Sequence, residues 1–220
     1  AFFLLLLSFP VLAAEEKESA YERVMRTGTI RCGYTIWNPV LTKDPESGTL
    51  GGFAYDVMNE VARRLFLKIE WTEESDMDLI LEGISTGRYD MVCLPFYMVS
   101  PRARVVYFSV PLYFSPLYIV TRSDDIRFDK DYRKLNDPQY RIAMLEGQAT
   151  AVLGRQRFPR ATPHVVPQIQ GYGFVLKDID LRKADATISD TISVSEYNEH
   201  NDDHLKYLPV PLSVSVMAFP

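Results

Sequence analysis

Gly51-Gly52-Phe53-Ala54-Tyr55-Asp56-Val57-Met58-Asn59-Glu60-Val61-Ala62-Arg63-Arg64-Leu65-Phe66-Leu67-Lys68-Ile69-Glu70-Trp71 contains the change of period that sets the fold class. Phe53, Val57, Met58, Val61 and Leu65 recur at the spacing of one helical face, and Leu67, Ile69 and Trp71 then alternate as on one side of a strand. The glycine pair closes a loop over residues 39–52, marked by its Pro, Asp, Ser and Gly content. Upstream, Tyr21, Val24 and Met25 predict a helix, and Ile30, Cys32 and Tyr34 predict a strand over residues 29–34. Downstream, residues 78–87 read as a short helix and residues 91–96 as a buried strand. Strands alternating with helices predict a parallel sheet in an α/β domain.

A second series follows. Residues 118–121 and 141–145 read as strands, 149–157 as a helix, 164–166 as a strand, 174–183 as a helix, 186–189 as a strand and 191–200 as a helix. Two consecutive α/β units without a low-complexity linker predict two lobes, each a central sheet flanked by helices, joined by extended crossings. The cleft between such lobes is where ligands bind. Residues 213–219 form one more apolar strand pattern, stopping at Pro220. The expected division is lobe one over residues 21–116, lobe two over 117–210 and a return strand to lobe one over 211–220. The sequence reads as truncated at both ends.

The apolar run from Ala1 to Leu7, continued through Phe9, Val11 and Leu12, meets Ala13, Ala14 and a charged stretch from Glu15. It predicts a partial secretory signal peptide over residues 1–13 and export to the periplasm, being shorter than the roughly 20 residues that span a bilayer. With 47% hydrophobic residues the chain can build a substantial core, and a net charge of −5 gives a phosphate backbone no reason to bind. Nucleic acid is excluded as a partner on that ground. Cys32 and Cys93 are the only cysteines. Export permits a disulfide, but their apolar, strand-like surroundings favour two buried small hydrophobes. His200 and His204 lie four apart with Asp202 and Asp203 between them; spacing supplies no third ligand, so no metal and no cofactor are expected.

Several segments, in order, resemble the amino-acid-binding branch (family 3) of the periplasmic solute-binding proteins, the receptors of ABC importers. They are Gly33 with Trp37-Asn38-Pro39, the run from Gly51 to Asp56, Arg88-Tyr89-Asp90, Ser100-Pro101-Arg102 through Phe108-Ser109, Glu146 to Thr150, and Ala184 to Asp190. The resemblance implies the type II two-lobed periplasmic-binding-protein fold with a hinge. It also implies a monomer that captures an amino-acid-like ligand and hands it to a permease in the membrane.

In the family's pattern an arginine six residues before the Phe-Ser pair clamps the ligand carboxylate; here it is Arg102. A guanidinium fork suits a carboxylate because it can donate two parallel hydrogen bonds. The aspartate ending the second-lobe pattern receives the ligand ammonium; here it is Asp190. Trp37 and Phe53 fall where such proteins set rings against the ligand side chain. The chain departs from the pattern at Pro95 and Tyr97, in place of small hydroxyl residues, and at Ala149, in place of a threonine. Either Tyr97 and backbone amides compensate or the ligand is not a standard α-amino acid; the aromatic set of Trp37, Phe53 and Tyr97 also suits a bulkier or cationic ligand. Two other outputs fit the same fold: a periplasmic dehydratase of cyclic acids, for which Asp190 or Glu146 offers a general acid, and a sensor lobe of a membrane kinase or lytic enzyme.

Overall fold

A computed structural model describes residues 18–77, 79–202 and 204–220; the signal peptide expected over residues 1–13 lies outside them. Helix α1 (Ala20–Thr27) starts at a capping box in which Ser19 and Glu22 each accept the other's backbone N–H, and it stops at Gly28, φ 67°, a left-handed turn that glycine adopts without Cβ strain. Strand β1 (Thr29–Tyr34) follows. The loop after it holds a small hairpin, β2 (Thr42–Lys43) and β3 (Leu50–Gly51). Then come α2 (Phe53–Leu65), β4 (Lys68–Glu74), α3 (Ile80–Ser85), β5 (Met91–Val92), β6 (Phe96–Tyr97) and α4 (Ser100–Ala103). The first sheet has the order β4-β1-β5 and is parallel throughout.

Strand β7 (Tyr113–Arg122) carries the chain into the second half. There follow β8 (Arg141–Leu145), α5 (Ala149–Arg157), β9 (Thr162–Val166), α6 (Tyr172–Asp180), β10 (Thr187–Ser189), α7 (Thr191–Glu199), β11 (Leu205–Tyr207) and β12 (Ser213–Ala218). Strands β8 and β9 pair in parallel, and Ile142 bridges Ala186 beside β10. The chain has a two-lobed α/β architecture, with β7 and β12 as the long strands that link the halves. One core surrounds β1, with Leu41, Ile80, Tyr89, Leu94, Met58 and Phe219. The other packs α5, α6 and α7 on β8 and β10, through Ile142, Ala151, Leu176, Ile179, Ile188 and Val194.

Three expectations change. The sheets are not parallel throughout, because β7 runs antiparallel to β10, β11 and β12. A strand that leaves one lobe and a strand that returns to it must run in opposite directions when they lie side by side. The buried strand expected over 91–96 is interrupted: β5 ends at Val92, and β6 begins at Phe96 in another sheet, on β12. Pro95, with no N–H to donate, sits in the break. Finally, Cys32 and Cys93 are joined in a disulfide, Cα–Cα 5.4 Å. Parallel pairing of β1 with β5 places Cys32 opposite Met91, and the Cys93 N–H donates to the Gly33 carbonyl at 2.9 Å, so the two side chains meet.

Candidate ligand-binding site

A cavity of about 600 Å³ lies between the two halves, within the size range of small-molecule sites. Trp37, Pro95, Phe96, Tyr97 and Arg102 line it from the first half, and Gln148, Tyr172, Ser189, Asp190 and Glu196 are among its second-half walls. Four of the six residues singled out from sequence therefore share one space: Trp37, Tyr97, Arg102 and Asp190. The other two lie off its lining. Phe53, at the start of α2, is 47% exposed and sets its edge on the Tyr113 ring at 5.8 Å. Ala149 begins α5 between two lining residues, Gln148 and Thr150.

Arg102 is placed by the single turn of α4, which Pro101 opens with its fixed φ. Its guanidinium stacks over the Phe96 ring at 4.8 Å, and Nη1 donates to the Tyr97 carbonyl at 3.3 Å. Among the described residues no carboxylate pairs with it. Burial lowers its pKa from the ordinary guanidinium value, only partly offset by Tyr97. It is a half-buried cation without an anion among the described residues.

Asp190 ends the strand–helix turn from β10 to α7 and is buried. Its Oδ1 caps α7 by accepting the Ser193 N–H at 2.8 Å, and its Oδ2 accepts from the Tyr97 hydroxyl at 2.8 Å. No basic side chain reaches it among the described residues. Burial, reinforced by the Asp190 charge, pushes the Tyr97 phenol far above its ordinary value, so the hydroxyl remains a donor. The Tyr172 hydroxyl donates to the Ile188 carbonyl at 2.7 Å, beside the buried Ser189.

Sequence reasoning missed the contribution of α7. Ser193, Glu196, Tyr197, His200 and Asn201 line the cavity, at offsets of 0, 3, 4, 7 and 8, which is one helical face. The signal was present as a polar stripe, but a polar stripe is also what a solvated helix shows. Among the described residues no group of three or more His, Cys, Asp or Glu could hold a metal ion. No helix of the described residues is long and apolar enough to cross a membrane.

Residues 30–206 match the model of the bacterial extracellular solute-binding proteins, family 3. The chain belongs to this family. Membership places the family 3 chain outside the cytoplasm and makes it a solute-binding protein. A relative in Haemophilus influenzae, named "Probable amino-acid ABC transporter-binding protein", is 28% identical over 188 residues, 84% of this chain and 69% of the relative. Two solved structures share the two-lobed fold. The ancestral amino acid-binding protein AncCDT-1, a precursor of cyclohexadienyl dehydratase, has a TM-score of 0.74 at 22% identity, over 92% of this chain and 84% of that one. A putative ABC transporter binding component from Wolinella succinogenes, complexed with lysine, has a TM-score of 0.73 at 19% identity, over 87% and 81%.

Proposed function

We propose that this family 3 protein captures an amino-acid-like zwitterion in the cavity and delivers it to the permease of an ABC importer. The observation that carries this reading is the pair Arg102 and Asp190: opposite charges on opposite halves, facing one space, each without a charged partner among the described residues. A zwitterion would pair both at once. Burying either ionic group unpaired is costly, so a ligand that satisfies both also draws the halves together. The hinge lies in the crossings near Leu117 and residues 209–212, with lobe one over 21–116 and lobe two over 117–210. Trp37 and Tyr97 wall the ligand; Phe53 and Ala149 act from outside the lining.

The protein works as an exported periplasmic monomer that binds without turnover. The names of its relatives support the ligand class and the transporter.

The test is calorimetry with a panel of L-amino acids. At least one should bind at micromolar Kd or tighter, and Arg102→Ala and Asp190→Ala should each weaken it about 10- to 100-fold, the scale of a lost charge-assisted contact. Binding that ignores both changes sinks the zwitterion reading. Product formed from prephenate or arogenate would sink the claim of binding without turnover.

A further inference from the structure

The cavity's fixed charges do not sum to those of a plain zwitterion. Among the described lining residues Arg102 is the one permanent cation, while Asp190 and Glu196 are both carboxylates. Arg102 and Asp190 would be consumed by the ligand's carboxylate and ammonium, leaving Glu196.

Glu196 sits on the cavity face of α7, half-buried, one and two-thirds turns beyond Asp190. No hydrogen bond or ion pair reaches its carboxylate among the described residues, and His200, one turn further on, directs its ring Nδ1 to the Glu196 backbone carbonyl at 3.0 Å. Burial raises the Glu196 pKa, opposed by His200 and reinforced by the Glu199 and Asp190 charges. That is the response of a carboxylate that lacks a cation. The same cavity is lined by groups that accept from or stack on a cation: Gln168 and Asn201 carry amide oxygens, and Trp37 carries a ring face.

We propose that the ligand has a basic side chain, as in lysine, ornithine or arginine, and that Glu196 is the residue selecting it. The inference rests on the amino-acid reading above and names the ligand class within it. A net charge of −1 on the cavity is matched by a net charge of +1 on such a ligand, and a neutral side chain would leave the half-buried Glu196 carboxylate unpaired.

Calorimetry at pH 8, above the ordinary imidazole range, tests this with L-lysine, L-norleucine and L-glutamate. Norleucine keeps the α-carbon groups and the four-carbon stem of lysine but lacks its terminal amine. Lysine should bind at least about 10-fold more tightly than norleucine, and glutamate the most weakly, because buried polar partners left unpaired penalise the wrong ligand. In Glu196→Gln the lysine-to-norleucine affinity ratio should fall about 10-fold or more, with the thermal midpoint reporting that the variant is folded. Equal binding of lysine and norleucine by the parent protein, or an unchanged ratio in Glu196→Gln, overturns the selection of a basic side chain while leaving the amino-acid reading intact. Absence of binding by all three and by the wider panel overturns both.

Discussion

The Tyr97 hydroxyl donates to Asp190 Oδ2 at 2.8 Å across 93 positions of sequence, tying strand β6 in one half to the N-cap of α7 in the other. The bond occupies the same carboxylate assigned above to the ligand ammonium. A carboxylate offers about four lone-pair sites, so Asp190 can keep its helix cap and the tyrosine and still accept from a ligand.

Removing that hydroxyl with Tyr97→Phe should loosen the halves before any ligand arrives. A hydrogen bond to a charged group contributes about 1.5 to 3 kcal/mol, and losing it shifts the ligand-free population toward an open cleft. Small-angle scattering should record a larger radius of gyration for ligand-free Tyr97→Phe than for the parent, converging when ligand saturates both. Identical ligand-free scattering would show that the bond does not hold the halves together.

The disulfide between Cys32 and Cys93 closes a loop with a sequence separation of 61. In the chain-entropy model a loop of that length stabilises the folded state by about 4 kcal/mol. Cys32→Ser/Cys93→Ser should lower the urea midpoint accordingly, and a reductant should shift the parent but not the variant. An equal midpoint for parent and variant under oxidising conditions would contradict the bridge.

Asp90 gives the first half an acid-sensitive tie. Arg23 Nε and Arg31 Nη2 donate to its Oδ1 at 2.8 and 2.9 Å, and the Arg31 backbone N–H donates to Oδ2 at 2.8 Å. Burial alone would raise its pKa, but the arginine hydrogen bonds outweigh burial and hold it below the ordinary carboxylate value. A depressed folded-state pKa means stability present above the unfolded value of about 3.9 and lost as pH falls through the folded pKa. Asp90→Asn should cost about 2 to 3 kcal/mol at pH 7 and flatten the decline in unfolding free energy below pH 4. A parallel decline in parent and variant would assign the acid limb elsewhere.

Tyr89, 1% exposed, lies over both Gly33 and Gly83, and a Cβ at either glycine would meet its ring. The ring cannot swing away easily, because its hydroxyl donates to the Ile80 carbonyl and it fills the core beside Leu94. Gly83→Ala should therefore destabilise by about 1 to 3 kcal/mol despite alanine's better helix propensity, and pairing it with Tyr89→Leu should recover part of the loss. A thermal midpoint equal to or above the parent's would mean that the ring yields.

Local periods carried the sequence reading far. The β1 strand over 29–34 and the α2 face from Phe53 to Leu65 emerge with those bounds, since each shows a clean alternation or helical recurrence. Pairing was less legible. Nothing in residues 29–34 or 91–96 states that β1 and β5 are neighbours in register, so the approach of Cys32 to Cys93 required the sheet. Arg102 and Asp190 were found through motif spacing, whereas Glu196 was not, because a polar residue on a helix has the same local signature facing a cavity as facing water. Phe53 shows the converse: its place after the glycine pair suggested a ligand wall, yet the helix start points it toward Tyr113.

The cavity-facing side of α7 is separate from the side that packs inward at Val194. Glu196 and His200 can consequently be exchanged with little revision of the interior, whereas Ser193 is buried and Tyr197 packs against the second core and donates to Asp180. On the reading proposed above, a lineage carrying this scaffold could change its ligand preference by substitution on one helix, while Arg102 and Asp190 keep their places across the cavity.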